Sequence, residues 1–241
     1  MGQKITDIKR QGKVLQLELS SGEWLLIHLK MTGQLIARTA DNKMLGGGHP
    51  TNLTILPDKT TRLVFHLSDS VTLFFNDIRI FGWVHWHTNE TRAKVLAVLG
   101  PDALDGNFTE DNLQTYITRY PRRLVKQLLL DQGLLAGVGN IYADEIAFLA
   151  KLNPNRRLQS LGPDDIKKLF DSIKPIISEA VKYRGTTFRN FVDGSGNKGN
   201  YVSKLQAYGR AGEECLNSCG QRLVKDVVVG RGTSYCPSCQ K

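Results

Sequence analysis

The chain has 241 residues, 41% hydrophobic and 23% charged, which suits one large folded domain or two smaller ones and excludes a disordered polymer. Its net charge of +9 favours a polyanionic partner, nucleic acid before acidic membrane. No apolar run reaches membrane-spanning length and no signal peptide is visible, so a cytoplasmic protein with no membrane partner is expected.

Residues 1–99 read mainly as strands. Lys4 to Leu19 alternates apolar and polar residues, with a break at Gln11-Gly12. Trp24 to Leu29, Leu53 to Leu56, Arg62 to Leu67 and Val71 to Phe75 continue the pattern between turn signals such as Pro57-Asp58 and Ser68-Asp69-Ser70. Many short strands joined by tight turns predict an antiparallel sandwich or barrel. Met44 to Pro50, with three consecutive glycines, reads as a loop.

Gly100 to Asn107 is a linker by composition, and a helical half follows. Thr109 to Tyr120 reads as a helix opened by Thr109 and Glu110. Arg119, Arg122, Arg123 and Lys126 form a basic cluster ahead of the stretch from Leu134 to Pro154. There, Gly137, Gly139 and Asn140 separate two apolar runs of helical spacing. Asn140 suits the cap of the second helix, whose free N–H groups and positive dipole end would make an anion site. A glycine turn between core helices has the same pattern, so the turn alone does not decide. Asp164 to Tyr183 predicts another helix, and Pro175 inside it a kink or break. Asp193 to Asn200 reads as a loop. The expected division is a β-sandwich over 1–99, a helical domain over 108–200 and a metal-binding tail over 205–241.

All four cysteines fall in that tail. Three residues lie between Cys215 and Cys219, two between Cys236 and Cys239, and sixteen between the pairs. Two knuckles joined by a hairpin-like segment fit one tetrahedral four-cysteine zinc site better than two disulfides. So small a segment has little core, so zinc would supply much of its folding free energy. Arg231, at or near the hairpin tip, could contact phosphate.

These residues together resemble the bacterial formamidopyrimidine-DNA glycosylase family. The resemblance rests on RQGKVLQLEL, IHLKMTGQL, NDIRIFGW, LGPDAL, LLLDQGLLAGVGNIYADE, RGTTFRNFVDGSG, LQAYGRAGEEC and RGTSYCPSCQK, in order along the chain. It implies an α+β protein with an antiparallel β-sandwich, a helix–two-turn–helix domain and a C-terminal zinc finger. It implies a monomeric glycosylase and AP-lyase acting on oxidised purines in double-stranded damaged DNA. By the same resemblance, Lys13 contacts phosphate beside the lesion and assists β-elimination, and Arg231 binds phosphate and assists δ-elimination. Met31 fills the space of the flipped base, Arg79 reads the orphaned cytosine, and Phe81 wedges the kinked duplex. His49 lies near the DNA backbone. Arg122, Arg123, Lys126 and Asn140 serve DNA binding, and Thr186, Thr187 and Tyr201 belong to the loop over the extruded base. Taken singly, Met31 and Phe81 would also suit core or strand positions.

The sequence departs from the family pattern at several points. The family opens with a proline, whose amine attacks the sugar, followed by a glutamate; this chain opens Met1-Gly2-Gln3. The expectation is a start that falls inside the family's sandwich, without the nucleophile, hence a chain inactive in base excision. The alternative is a noncatalytic binder of damaged or kinked DNA. An RNA-binding zinc protein would explain charge and cysteines, but not Met31, Arg79 and Phe81 together. The family's Asp-Pro-Arg-Arg-Phe run stands here as Asp77-Ile78-Arg79-Ile80-Phe81, and the first zinc knuckle is one residue longer than usual.

Overall fold

The computed structural model describes residues 2–47, 55–188, 192–193 and 197–241. The chain forms two compact units, one of Met1–Lys94 with Tyr183–Val202, the other of Val95–Lys182 with Ser203–Lys241.

The first unit carries two four-stranded antiparallel sheets. One has the order β1 (Ile5–Gln11), β2 (Val14–Leu19), β3 (Trp24–His28), β8 (Trp83–His87). The other has β5 (Met44–Gly46), β4 (Gly33–Arg38), β7 (Thr72–Asp77), β6 (Thr61–His66). Leu17 and Ile27 of the first sheet meet Phe75 of the second, with Leu35 and Val84 packed beside them. On the far side of the second sheet, Ile36 and Phe74 pack with Leu56. Period-two alternation explains this division, since residues i and i+2 share a face.

Four elements differ from expectation. β4 and β8 were not anticipated: Thr32-Gly33 looked like a stop, and the aromatic run after Gly82 lacks clean alternation. Met44–Gly46, expected as loop, is β5, because its backbone pairs with Ile36 to Arg38. Asn89–Leu96 is a helix, α1, in a region expected to be mainly strands. Ile55 and Leu56 lie outside any strand, and Leu53 lies outside the described residues.

The helices of the second unit are α2 (Glu110–Arg119), α3 (Val125–Leu130), α4 (Asn140–Leu149) and α5 (Pro163–Lys182). Thr109 opens α2 with a reciprocal capping box to Asn112. Leu113, Leu128, Leu129, Leu135, Ile146, Leu158, Leu169 and Ile173 form its core. Of the kink or break expected at Pro175, the break is absent: α5 runs continuously from Pro163 to Lys182. Pro175 and Asp171, whose carbonyl the proline leaves without its helical donor, are both exposed residues, while Ile173 and Ile176 anchor the buried face. The unit ends in a hairpin of β9 (Val224–Val228) and β10 (Arg231–Tyr235).

Candidate nucleic-acid interface

In the first unit, two crossovers between the sheets run side by side. The chain passes from β3 to β4 through Leu29–Thr32, and from β7 to β8 through Ile78–Gly82. Their roots are paired, Gly33 with Asp77 and His28 with Trp83. Met31 sits on one crossover; Arg79 and Phe81 sit on the other.

One buried carboxylate joins them. Asp77 is 1% exposed. It accepts from the Thr32 hydroxyl at 2.5 Å, from Gly82 N–H at 2.6 Å and from Arg79 N–H at 3.1 Å, and Phe81 N–H adds to the set. Burial opposes ionisation of Asp77, but these donors outweigh it and hold its pKa below the ordinary value. A Cβ on Gly82 would lie 2.9 Å from the Phe75 ring and 3.1 Å from the Asp77 carboxylate, so only glycine fits there.

The result is an apolar tip with a cation on it. Met31, Phe81, Ile78 and Ile80 are 61%, 52%, 53% and 67% exposed. The Arg79 guanidinium lies 4.8 Å over the Phe81 ring and donates to the Met31 sulfur at 3.5 Å. Of the three residues expected to act together, Arg79 thus touches both Met31 and Phe81. Ile80 has φ of +59°, a left-handed conformation that costs a β-branched residue about 1–3 kcal/mol.

Lys13 is exposed in the two-residue turn between β1 and β2, after Gly12 at φ +54°. It acts electrostatically on His28, whose pKa falls to about 4, chiefly through burial, then through Lys30 and Lys13. His28 Nδ1 accepts from Lys30 N–H at 2.9 Å, so the neutral ring braces the turn that carries Met31. Thr186 bridges to Asn200, the Thr187 hydroxyl accepts from Gly199 N–H at 2.9 Å, and Tyr201 is buried. His49 lies outside the described residues.

In the second unit the glycine turn and the zinc hairpin come together. The cap of α4 is Gly139, not Asn140 as expected. Asn140 instead turns its amide across and donates to the Gly232 carbonyl at 2.9 Å, next to the exposed Arg231. Its Oδ1 is buried with no hydrogen-bond partner among the described residues. A helix start still leaves its first N–H groups outside the ladder, which suits an anion.

Lys126 differs from the expected surface phosphate contact. It has no solvent exposure, pairs with the equally buried Asp144, and donates to the Asn140 carbonyl at 3.3 Å. Burial lowers the pKa of Lys126 and raises that of Asp144, each against the attraction of the other. The second Asp144 oxygen accepts Ser234 N–H at 2.9 Å, which fixes the hairpin. Arg123, expected among the DNA-binding residues, pairs with Asp131 at 2.7 Å, bonds the Tyr116 hydroxyl and lies 4.1 Å over Tyr120. Arg122 is exposed.

Sequence reasoning missed Asp77, Asp144 and Glu145. Glu145, 1% exposed, accepts the N–H groups of Gln206, Ala207 and Tyr208 at 2.8, 2.9 and 2.7 Å. Acidic residues in a basic protein that targets polyanions gave no direct signal; only their position in apolar surroundings, as in Ile141 to Leu149, hinted at burial.

The sulfurs of Cys215, Cys219, Cys236 and Cys239 all lie within 4.8 Å of one another. Cys215–Cys239 and Cys219–Cys236 are 3.9 and 3.5 Å apart, too far for disulfides and close to the sulfur–sulfur edge of about 3.8 Å set by four Zn–S bonds of about 2.3 Å. The donor set fits one structural zinc. Phe148 and Leu223 pack against it. No described helix is long and apolar enough to cross a membrane.

A β-sandwich with an apolar, arginine-bearing tip, a helical turn set for an anion and a zinc hairpin with an exposed arginine define a class of zinc-containing DNA-binding repair proteins. Three family descriptions match in chain order: the formamidopyrimidine-DNA glycosylase N-terminal domain over residues 1–84, its H2TH domain over 99–192, and the zinc finger found in FPG and IleRS over 212–241. Formamidopyrimidine-DNA glycosylase of Carboxydothermus hydrogenoformans is 39% identical over 241 residues, covering 100% of this chain and 82% of the relative. That of Listeria monocytogenes serotype 4b is 39% identical over 245 residues, covering 100% and 83%. Among solved structures, Lactococcus lactis Fpg with abasic-site DNA superposes with a TM-score of 0.84 at 32% identity, covering 100% of this chain and 83% of that one. MutM with DNA containing carbocyclic 8-oxo-G gives 0.83 at 31%, again covering 100% and 83%. The chain belongs to the formamidopyrimidine-DNA glycosylase family, the DNA glycosylases of base-excision repair.

Proposed function

We propose that this chain binds duplex DNA at oxidised purines, 8-oxoguanine and formamidopyrimidines, or at the abasic sites they leave, by opening the stack at the lesion. The contact of Met31, Arg79 and Phe81 around one buried carboxylate carries this reading. A damaged base inside a duplex is out of reach of side chains, so it must leave the stack. Apolar wedges offset the unstacking cost of a few kcal/mol per step. Arg79 offers the donors to read an unpaired partner base. Lys13, Arg231 and the start of α4 supply phosphate contacts, and Lys13 and Arg231 are the cations assigned to elimination. Lys126 acts as a positioning residue for Asn140 and the hairpin.

None of the eight prolines is followed by glutamate, so the 241 residues do not themselves contain the amine and carboxylate pair that the family resemblance assigns to the first step. The polypeptide shown therefore binds and kinks damaged duplex without forming an imine. Titration with duplexes carrying a tetrahydrofuran abasic analogue, with intact duplex as control, tests binding; borohydride trapping on an 8-oxoguanine duplex tests the chemistry. Equal affinity for both duplexes sinks the binding reading. Efficient trapping by the 241-residue chain sinks the assignment of the missing step.

A further inference from the structure

We propose that Ile80 is a further insertion residue, an apolar side chain presented in advance to the unstacked base step that Phe81 enters. The inference rests on the binding reading above. Ile80 lies between Arg79 and Phe81, is 67% exposed, and holds a left-handed backbone at φ +59°. A β-branched residue in that conformation is destabilising, and an exposed apolar side chain recovers nothing in the free protein. Such strain persists only where neighbours enforce it. Here Asp77 enforces it, by fixing the N–H groups of Arg79, Phe81 and Gly82 on either side.

The described left-handed residues other than glycine are Lys30, Asn42, Asp69, Ser70, Ile80, Lys151, Arg184, Ser218 and Val229. The two β-branched ones, Ile80 and Val229, each sit within two residues of an arginine assigned to DNA, Arg79 and Arg231. A lysine or arginine at position 80 would add a phosphate contact. Isoleucine adds none, and its chemistry fits the dry interior of a kinked stack, continuous with Met31 and Phe81. The occupant is therefore an opened base step of duplex DNA.

Ile80→Gly relieves the strain and removes the side chain; Ile80→Ala removes the side chain but keeps a Cβ on the left-handed backbone. Both go through thermal melting and titration against the tetrahydrofuran duplex and intact duplex at several salt concentrations. The expected result is a higher Tm for Ile80→Gly, and for both variants about tenfold weaker binding to the tetrahydrofuran duplex, as for loss of one buried aliphatic side chain. Intact-duplex affinity and the salt slope should not change, since no charge is lost. Unchanged or tighter binding of either variant to the tetrahydrofuran duplex overturns the proposal, as does an unchanged or lower Tm for Ile80→Gly. A wild-type chain that fails to prefer the tetrahydrofuran duplex overturns the binding reading and this proposal with it; failure of the variants alone overturns only the role of Ile80.

Discussion

Lys126 of α3 and Asp144 of α4 form an ion pair in which neither side chain reaches solvent, and through Asn140 and Ser234 that pair ties the glycine turn to the zinc hairpin. Removing one partner leaves the other charge buried and unpaired. Lys126→Ala and Asp144→Ala should each cost about 3–5 kcal/mol of unfolding free energy in denaturant titrations. The double variant Lys126→Met with Asp144→Leu should recover part of that loss, but not all, because Ser234 N–H loses its acceptor. Single losses below about 1 kcal/mol would show that the pair does not hold the turn.

Arg231 and Asn140 stand beside each other, one charged and exposed, the other neutral. Arg231→Ala should weaken binding to all duplexes and reduce the slope of log K against log salt by about 0.9. Asn140→Ala should weaken binding without that change in slope, because it removes orientation and not charge. A full slope for Arg231→Ala would exclude a phosphate contact.

The zinc site is coupled to the same surface, since Cys236 directly follows β10, the strand whose Ser234 Asp144 holds. Metal analysis should give one zinc per chain. Chelation, or Cys236→Ser, should unfold the tail and remove the Arg231 contribution to DNA binding, while the antiparallel-sheet signal of the first unit persists. Intact DNA affinity and salt slope after complete zinc removal would argue against this coupling.

Much of this arrangement was legible in the sequence. The spacing of Cys215, Cys219, Cys236 and Cys239 stated the metal chemistry, because zinc ligation has a short-range signature. Thr109 and Glu110 likewise announced α2, and the structure adds Asn112 as the reciprocal partner of the cap. What could not be read was the partner of each charge. Lys126 and Arg123 looked like surface cations in a basic run, and only the fold brings Asp144 and Asp131 to them. Asp77 carried no local signal either, because its donors come from Thr32 and from Arg79 to Gly82, joined by sheet register. At Pro175 the sequence left a kink and a break open, because whether a helix continues through a proline depends on the exposure and packing that the fold sets.

The Asp77 clamp predicts an acid limit. Its pKa is lower in the folded protein than the ordinary 3.8, so its contribution is fully present above that value. It is lost as pH falls below 3.8 through the folded-state pKa, where protonation breaks the bonds to Thr32, Arg79, Phe81 and Gly82. Asp77→Asn should destabilise the protein at pH 7 by about 1–3 kcal/mol and flatten that acid limb. It should also lower discrimination between cytosine and other bases opposite the lesion, because Arg79 would lose its fixed placement. A variant with wild-type discrimination and an unchanged acid limb would remove Asp77 from this role.

The zinc hairpin carries its own strain. Val229 and Gly230, at φ +47° and +72°, form the two-residue turn between Val228 and Arg231. Paired left-handed residues suit asparagine followed by glycine; a β-branched valine in the first position is a steric outlier. Val229→Asn should therefore stabilise the second unit by about 1 kcal/mol. The strands keep their register, so Arg231 keeps its place and the salt slope of DNA binding should match wild type. Thermal melting and salt titration on the same preparation check both halves. A Tm that does not rise would mean that the valine side chain contributes packing that offsets its backbone strain, and a reduced slope would mean that the turn, and not only the Asp144–Ser234 bond, orients Arg231.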